Sequence, residues 1–184
     1  MLLSDHERQR LRDVAFASVA FGLEHRREMA VREHEYPESL RVEKATFVTL
    51  RGAGELLGCI GTLRPRRPLV CDVAHNAHHA AFGDPRFAPL TAGQLDGLEL
   101  HISILGPLER LAIRSEPDLL AQLRPDIDGL LIEDGDLAAT FLPAMWPRLP
   151  QPRAFLRALK EKAGLPVDFW SHTIVVYRYT ADEI

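Results

Sequence analysis

A chain of 184 residues, 46% hydrophobic and 26% charged, has the composition of a globular protein and excludes a disordered or low-complexity segment of any size. Its 22 Lys and Arg against 26 Asp and Glu give a net charge of −4 with neutral histidines, which excludes a global basic field for collecting nucleic acid. The N-terminus turns charged by Asp5 and no apolar run approaches the ~18 residues of a membrane helix, so neither a secretory leader nor a membrane span is expected, and the cytoplasm is the expected location.

In chain order, Ser4 and Glu7 form the S-x-x-E pattern of a capping box and predict a helix from about Asp5 into the mid-twenties. Leu11, Val14, Ala15, Ser18, Val19 and Gly22 share one face of it, and Pro37 breaks the helical pattern. "KATFVTLRGAGELLGCIGTL" predicts a β-hairpin turning at "RGAG", where glycine supplies positive φ. A helix is expected from about Leu69 to Phe82. Leu98, Leu100, Ile102 and Ile104 then alternate with Glu99, His101, Ser103 and Leu105, the period of a strand.

Ser115 is an N-cap candidate for a helix over "EPDLLAQL", and "IDGLLIEDGDLAATFL" predicts a second hairpin at Asp134-Gly135. Pro152 and Gly164 bracket a further helix, and "HTIVVYRY" is expected to close the chain as a strand. Strand pairs mixed with helices, without strict β-α-β alternation, indicate an α+β fold with a mixed, largely antiparallel sheet and packed helices. The length suits a single domain over 1–184, or two lobes sharing one core, with Pro65, Pro68 and Pro143 to Pro152 as the seams between lobes.

Cys59 stands out because Gly58 and Gly61 flank it within an apolar run. Such glycines mark a bulge or a close approach by backbone or ligand, which makes Cys59 a candidate catalytic thiol against the alternative of a small buried hydrophobe. Both cysteines, Cys59 and Cys71, are expected as free thiols. Arg64, Arg66 and Arg67 form a short basic loop, too short for a strong phosphate site. His75 with His78 or His79 has helical spacing for two metal ligands, but zinc normally takes at least three from protein, so no metal and no cofactor is expected. In "GDPRF", Asp84 and Arg86 either pair and pin the loop or leave Arg86 as a planar fork for an anion.

The stretches "FVTL", "GELLGCIGTLRPRRPL", "AAFGDPRFAPLT", "LDGLELHISIL" and "FLRALKEKAGLP", in that order, resemble the AMMECR family, also described as protein A of the AmmeMemoRadiSam system. The resemblance spans roughly Phe47 to Trp170 and is carried most specifically by "GCIG" with "DPRF". It implies an α+β fold in two closely associated lobes with a groove as the suspected site, and Memo-type and radical SAM proteins as partners; it brings no assigned reaction. Carried over by position, the motif residues are Leu56, Gly58, Cys59, Ile60 and Gly61, then Asn76, Asp84, Pro85, Arg86 and Phe87, then Glu99 and Ser103. Leu57 stands where the family usually has arginine, which removes the nearest electrostatic partner for a reactive thiol.

Two readings follow. In one the chain is an enzyme or enzyme subunit whose groove is lined by Cys59, with Asn76 orienting substrate and Arg86 clamping an anionic group. In the other the same groove, Gly58, Gly61, Asn76, Asp84, Arg86, Glu99 and Ser103 included, docks a partner without turnover. Nucleic-acid binding ranks third, and self-association is a further partner option.

Overall fold

The computed structural model of the chain describes residues 3–184. The chain divides into two compact units, one reaching to Leu105 and taking in Asp182–Ile184, the other Gly106–Ala181. The buried apolar side chains form a separate cluster in each. The prolines expected as seams lie inside the units. Pro68 precedes one helix, Pro143 opens a 3-10 turn and Pro152 begins another helix. A fixed φ and a missing N–H suit a helix start, so these prolines punctuate elements rather than units.

In the first unit, helix α1 (Asp5–His25) begins at the expected capping box, with Glu7 N–H donating to Ser4 Oγ and Ser4 N–H donating to Glu7. It buries the predicted face, Leu11 through Gly22. It stops well before Pro37, because Arg26 turns left-handed at φ 53° and its N–H closes on the Gly22 carbonyl. A short helix, α2 (Glu38–Arg41), precedes strand β1 (Thr46–Gly52) and strand β2 (Glu55–Gly61). Their turn places Ala53 at φ 51° and Gly54 at φ 82°, both left-handed, as the twist of a tight hairpin requires.

Helix α3 (Leu69–Phe82) has the expected bounds, and strand β3 (Leu98–Leu105) buries its alternate apolar residues as predicted. The first sheet has the order β2-β1-β3-β8, where β8 is Ala181–Glu183. The sequence reading ended on the strand before it. Three residues without apolar alternation give no periodic signal, and β8 pairs with β3. Ile102 and Ile184 exchange both N–H···O bonds at 2.9 Å, and Arg8 forks the Asp182 carboxylate at 3.0 and 2.8 Å.

The second unit contains strand β4 (Glu109–Arg110), helix α4 (Glu116–Gln122), strands β5 (Gly129–Asp134) and β6 (Leu137–Phe141), helix α5 (Pro152–Lys162) and strand β7 (Val175–Tyr179). Its antiparallel sheet runs β4-β7-β5-β6. Trp146 stacks on Phe155 at 4.1 Å between ring centroids and donates its indole N–H to the Asp128 carbonyl. Fully buried, Lys160 is held by Glu116 and by the Val167 carbonyl. The fold is α+β, and among the described residues no helix is long and apolar enough to cross a membrane.

Candidate functional site

Helix α3 packs on one face of the first sheet, and the reason is composition. Ala80 is buried, and its small side chain lets the helix backbone come close to the strands. At Gly58 the approach is closest: a Cβ there would sit 1.9 Å from the Ala80 carbonyl oxygen. Gly58 therefore faces the helix. Because successive side chains of a strand point to opposite faces, Cys59 faces the other way, onto the side of the sheet that α3 does not cover. Gly61 shares that open side, and its missing side chain leaves room for the Phe47 ring, 2.2 Å from where a Cβ would be.

Strand register determines what accompanies Cys59. Cys59 pairs with Thr49 and Thr49 with His101. The Thr49 hydroxyl donates to Cys59 Sγ at 3.3 Å. In the next row Gly61, Phe47 and Ser103 are opposite one another, and Ser103 Oγ donates to Glu183 at 2.8 Å. Desolvation holds the Glu183 carboxyl above its ordinary value against the lowering effect of that hydrogen bond. On the far side of Thr49, Arg51 and Glu99 are paired directly. A bulge at Leu57 separates the Leu50–Gly58 and Arg51–Leu56 pairs, and Leu57 packs on the core cluster.

The edge of β2 is closed by the loop after α3. Asp84, only 5% exposed, accepts the Cys59 N–H at 2.9 Å and both Nε and Nη2 of Arg86 at 2.9 and 2.7 Å. Arg86 Nη2 also donates to the Cys59 carbonyl at 2.8 Å. Both outward backbone groups of Cys59 are thus taken, which protects an edge strand from pairing with another chain. The Arg86 bonds, ahead of the Cys59 and Arg86 backbone N–H groups, lower the Asp84 carboxyl to about 2. The Arg86 guanidinium is raised in turn.

Asn76, expected to orient a substrate, is instead a buried strut on the helix side of the sheet, 1% exposed. Its Nδ2 donates to the Thr46 carbonyl, to Thr46 Oγ1 and to Asp72 Oδ2 at 2.9–3.0 Å. Asp72 also accepts from Thr46 N–H, Thr46 Oγ1 and Thr62 Oγ1. Gly58 and Asn76 therefore leave the groove expected from sequence. Cys59, Gly61, Glu99 and Ser103 lie on the side of the sheet away from α3, Ser103 buried there at 4% exposure, and Asp84 and Arg86 border it. Thr49, His101 and Glu183 join them unforeseen, since register and a C-terminal strand decide their place. The alternation over β3 was the one signal that pointed to His101.

Elsewhere on α3, His75 and His79 meet Glu28, which follows α1, while His78 packs against Phe82 with ring centroids 5.0 Å apart. Cys71 points to Glu33, and burial, reinforced by that carboxylate, raises its thiol above the ordinary value. In the basic loop, Arg67 reaches the buried Asp72 at 3.4 Å.

Residues 12–184 match the AMMECR1 family, and the chain belongs to it. A protein of Methanothermobacter thermautotrophicus is 35% identical over 170 residues, covering 83% of this chain and 86% of its own. One from Aeropyrum pernix is 34% identical and covers 97% of this chain and 78% of its own. The crystal structure of an uncharacterised protein from Pyrococcus horikoshii superposes with a TM-score of 0.91 at 29% identity, covering 98% of this chain and 92% of that one.

Proposed function

We propose that this protein is a binding module whose recognition surface is the open face of the first sheet, centred on Cys59, Thr49 and His101. The observation that carries this reading is where the charged and basic groups near Cys59 are directed. The Arg86 guanidinium is turned to Asp84 and to the Cys59 carbonyl. His101 is two strands away across Thr49, about 9.5 Å at the backbone. A general base must come within about 2.6–3.2 Å, heavy atom to heavy atom, of the group whose proton it takes, or reach it through one water. The arrangement supports recognition by a polar, hydrogen-bonding surface better than nucleophilic attack by Cys59.

The partners in this reading are the Memo-type and radical SAM proteins that the family resemblance implies, and its location is the cytoplasm, in keeping with two free thiols. The test is retention of each partner, purified separately, by the immobilised full chain. Wild type and Cys59→Ser should retain a partner, whereas Thr49→Arg and His101→Glu, checked for native circular dichroism, should lose it. Equal retention by all four proteins, or retention by none, would overturn the reading.

A further inference from the structure

The geometry points to a divalent transition-metal site formed by Glu28, His75 and His79, away from the sheet face and independent of the binding reading above. Sequence spacing offered two imidazoles on one helical face; the fold adds a carboxylate from the segment after α1. One donor atom from each of the three residues lies within 4.8 Å of the others. Glu28 spans both rings, with Oε2 3.1 Å from His75 Nδ1 and Oε1 3.4 Å from His79 Nε2. Two donors bound at ~2.0–2.1 Å to a tetrahedral zinc ion are about 3.3 Å apart, so both separations suit one ion held by the two imidazoles and by Glu28 through both of its oxygens.

The tautomer of His79 carries the argument further. His79 Nδ1 lies 2.9 Å from the His75 backbone carbonyl, which can only accept, so the proton is on Nδ1. In the neutral ring Nε2 is then a lone pair facing a carboxylate oxygen. Two acceptors facing each other need a cation between them, either an added proton or a metal ion. A backbone carbonyl that fixes the remote ring nitrogen is also the usual outer partner of a metal-bound histidine. The rings of His75 and His79 are 4.1 Å apart between centroids, one turn of α3 holding both toward Glu28. The three side chains are 25%, 37% and 47% exposed for His75, His79 and Glu28, which leaves a coordination position open to water or an exogenous ligand. Nitrogen and oxygen donors without thiolate favour zinc, cobalt or nickel over copper(I).

The experiment is titration of the chelator-stripped full chain with Co2+, followed by visible absorption and calorimetry, then displacement by Zn2+. A single saturable site is expected, with d–d bands of a four- or five-coordinate ion. Loss of an outer partner alone commonly costs about 10–100-fold in affinity, so loss of a ligand in His79→Ala should weaken binding at least that much. Glu28→Gln, a change at an exposed position, should also weaken it without disturbing the fold. His101→Ala should bind as wild type does. If wild type shows no more Co2+ binding than the His75→Ala, His79→Ala double variant, or if Glu28→Gln leaves affinity unchanged, the cation between these groups is a proton only and the site is refuted.

Discussion

Gly58 of β2 and Ala80 of α3 meet backbone to backbone, so closely that a Cβ on Gly58 would lie 1.9 Å from the Ala80 carbonyl oxygen and 2.9 Å from its carbon. A rigid helical carbonyl cannot swing aside as a side-chain tip can. Gly58→Ala must separate α3 from the sheet, and overpacking costs about 1–3 kcal/mol, occasionally more. Urea unfolding of the variant should show a correspondingly lower midpoint. A loss under about 0.5 kcal/mol would mean that the helix-sheet spacing is softer than its packing indicates.

Asp84 supplies a pH dependence with a defined sign. Its carboxyl is lowered to about 2, chiefly by Arg86, against ~3.9 in an unfolded chain. A depressed folded value stabilises the protein fully above about pH 4, and that stabilisation disappears as pH falls toward 2. With Arg86 55% exposed on its side-chain surface and therefore screened, the expected contribution is about 1–2 kcal/mol. Denaturation midpoints at pH 5 and pH 2.5 should lie further apart in wild type than in Asp84→Asn. Parallel pH profiles for the two proteins would assign the pair no net stabilisation.

Asn76 tests whether a motif position is a strut or a substrate contact. Its amide ties Thr46 of β1 to Asp72 one turn earlier on α3, wholly out of solvent. Asn76→Ala removes these bonds and leaves the Thr46 carbonyl with the Thr62 N–H as its remaining donor, at an expected cost of about 1–2 kcal/mol. Partner retention by the fraction that remains folded should match wild type. Reduced retention without a stability loss would return Asn76 to the substrate-orienting role expected from sequence.

Local patterns carried most of the fold. The Ser4 and Glu7 capping box and the alternation over β3 each encode an element within a few neighbouring residues, and those elements lie where the patterns put them. The site was legible only as far as "GCIG" and "DPRF", whose Asp84–Arg86 pairing is short-range in sequence. What the sequence could not show is which residues lie across from Cys59. Thr49 and His101 reach that row through strand register, Glu183 through a strand of three residues, and Glu28 meets His75 and His79 through packing of distant segments. Glycine beside the thiol marks a close approach by backbone or ligand, and here the approach is by the protein itself. Gly58 is explained by the Ala80 backbone and Gly61 by the Phe47 ring.

The surroundings of Cys59 decide between the two readings of the open face. Its backbone is fixed on both sides by Asp84 and Arg86, and Thr49 holds its sulfur at 3.3 Å. The guanidinium that could have served the sulfur is spent on Asp84 and on the carbonyl of the same residue, and the neighbouring Leu57 packs on the core. In a Cys71→Ser background, where Cys59 is the remaining thiol, iodoacetamide at pH 7 should modify the protein no faster than it modifies free cysteine. Reactive protein thiols owe their speed to adjacent positive charge or a helix N-terminus. Thr49→Val should change the rate by less than about threefold, since the hydroxyl contributes contact rather than activation. Alkylation about tenfold faster than the free thiol, slowed by His101→Ala, would show that the imidazole does reach the sulfur and would move the protein to the enzymatic reading.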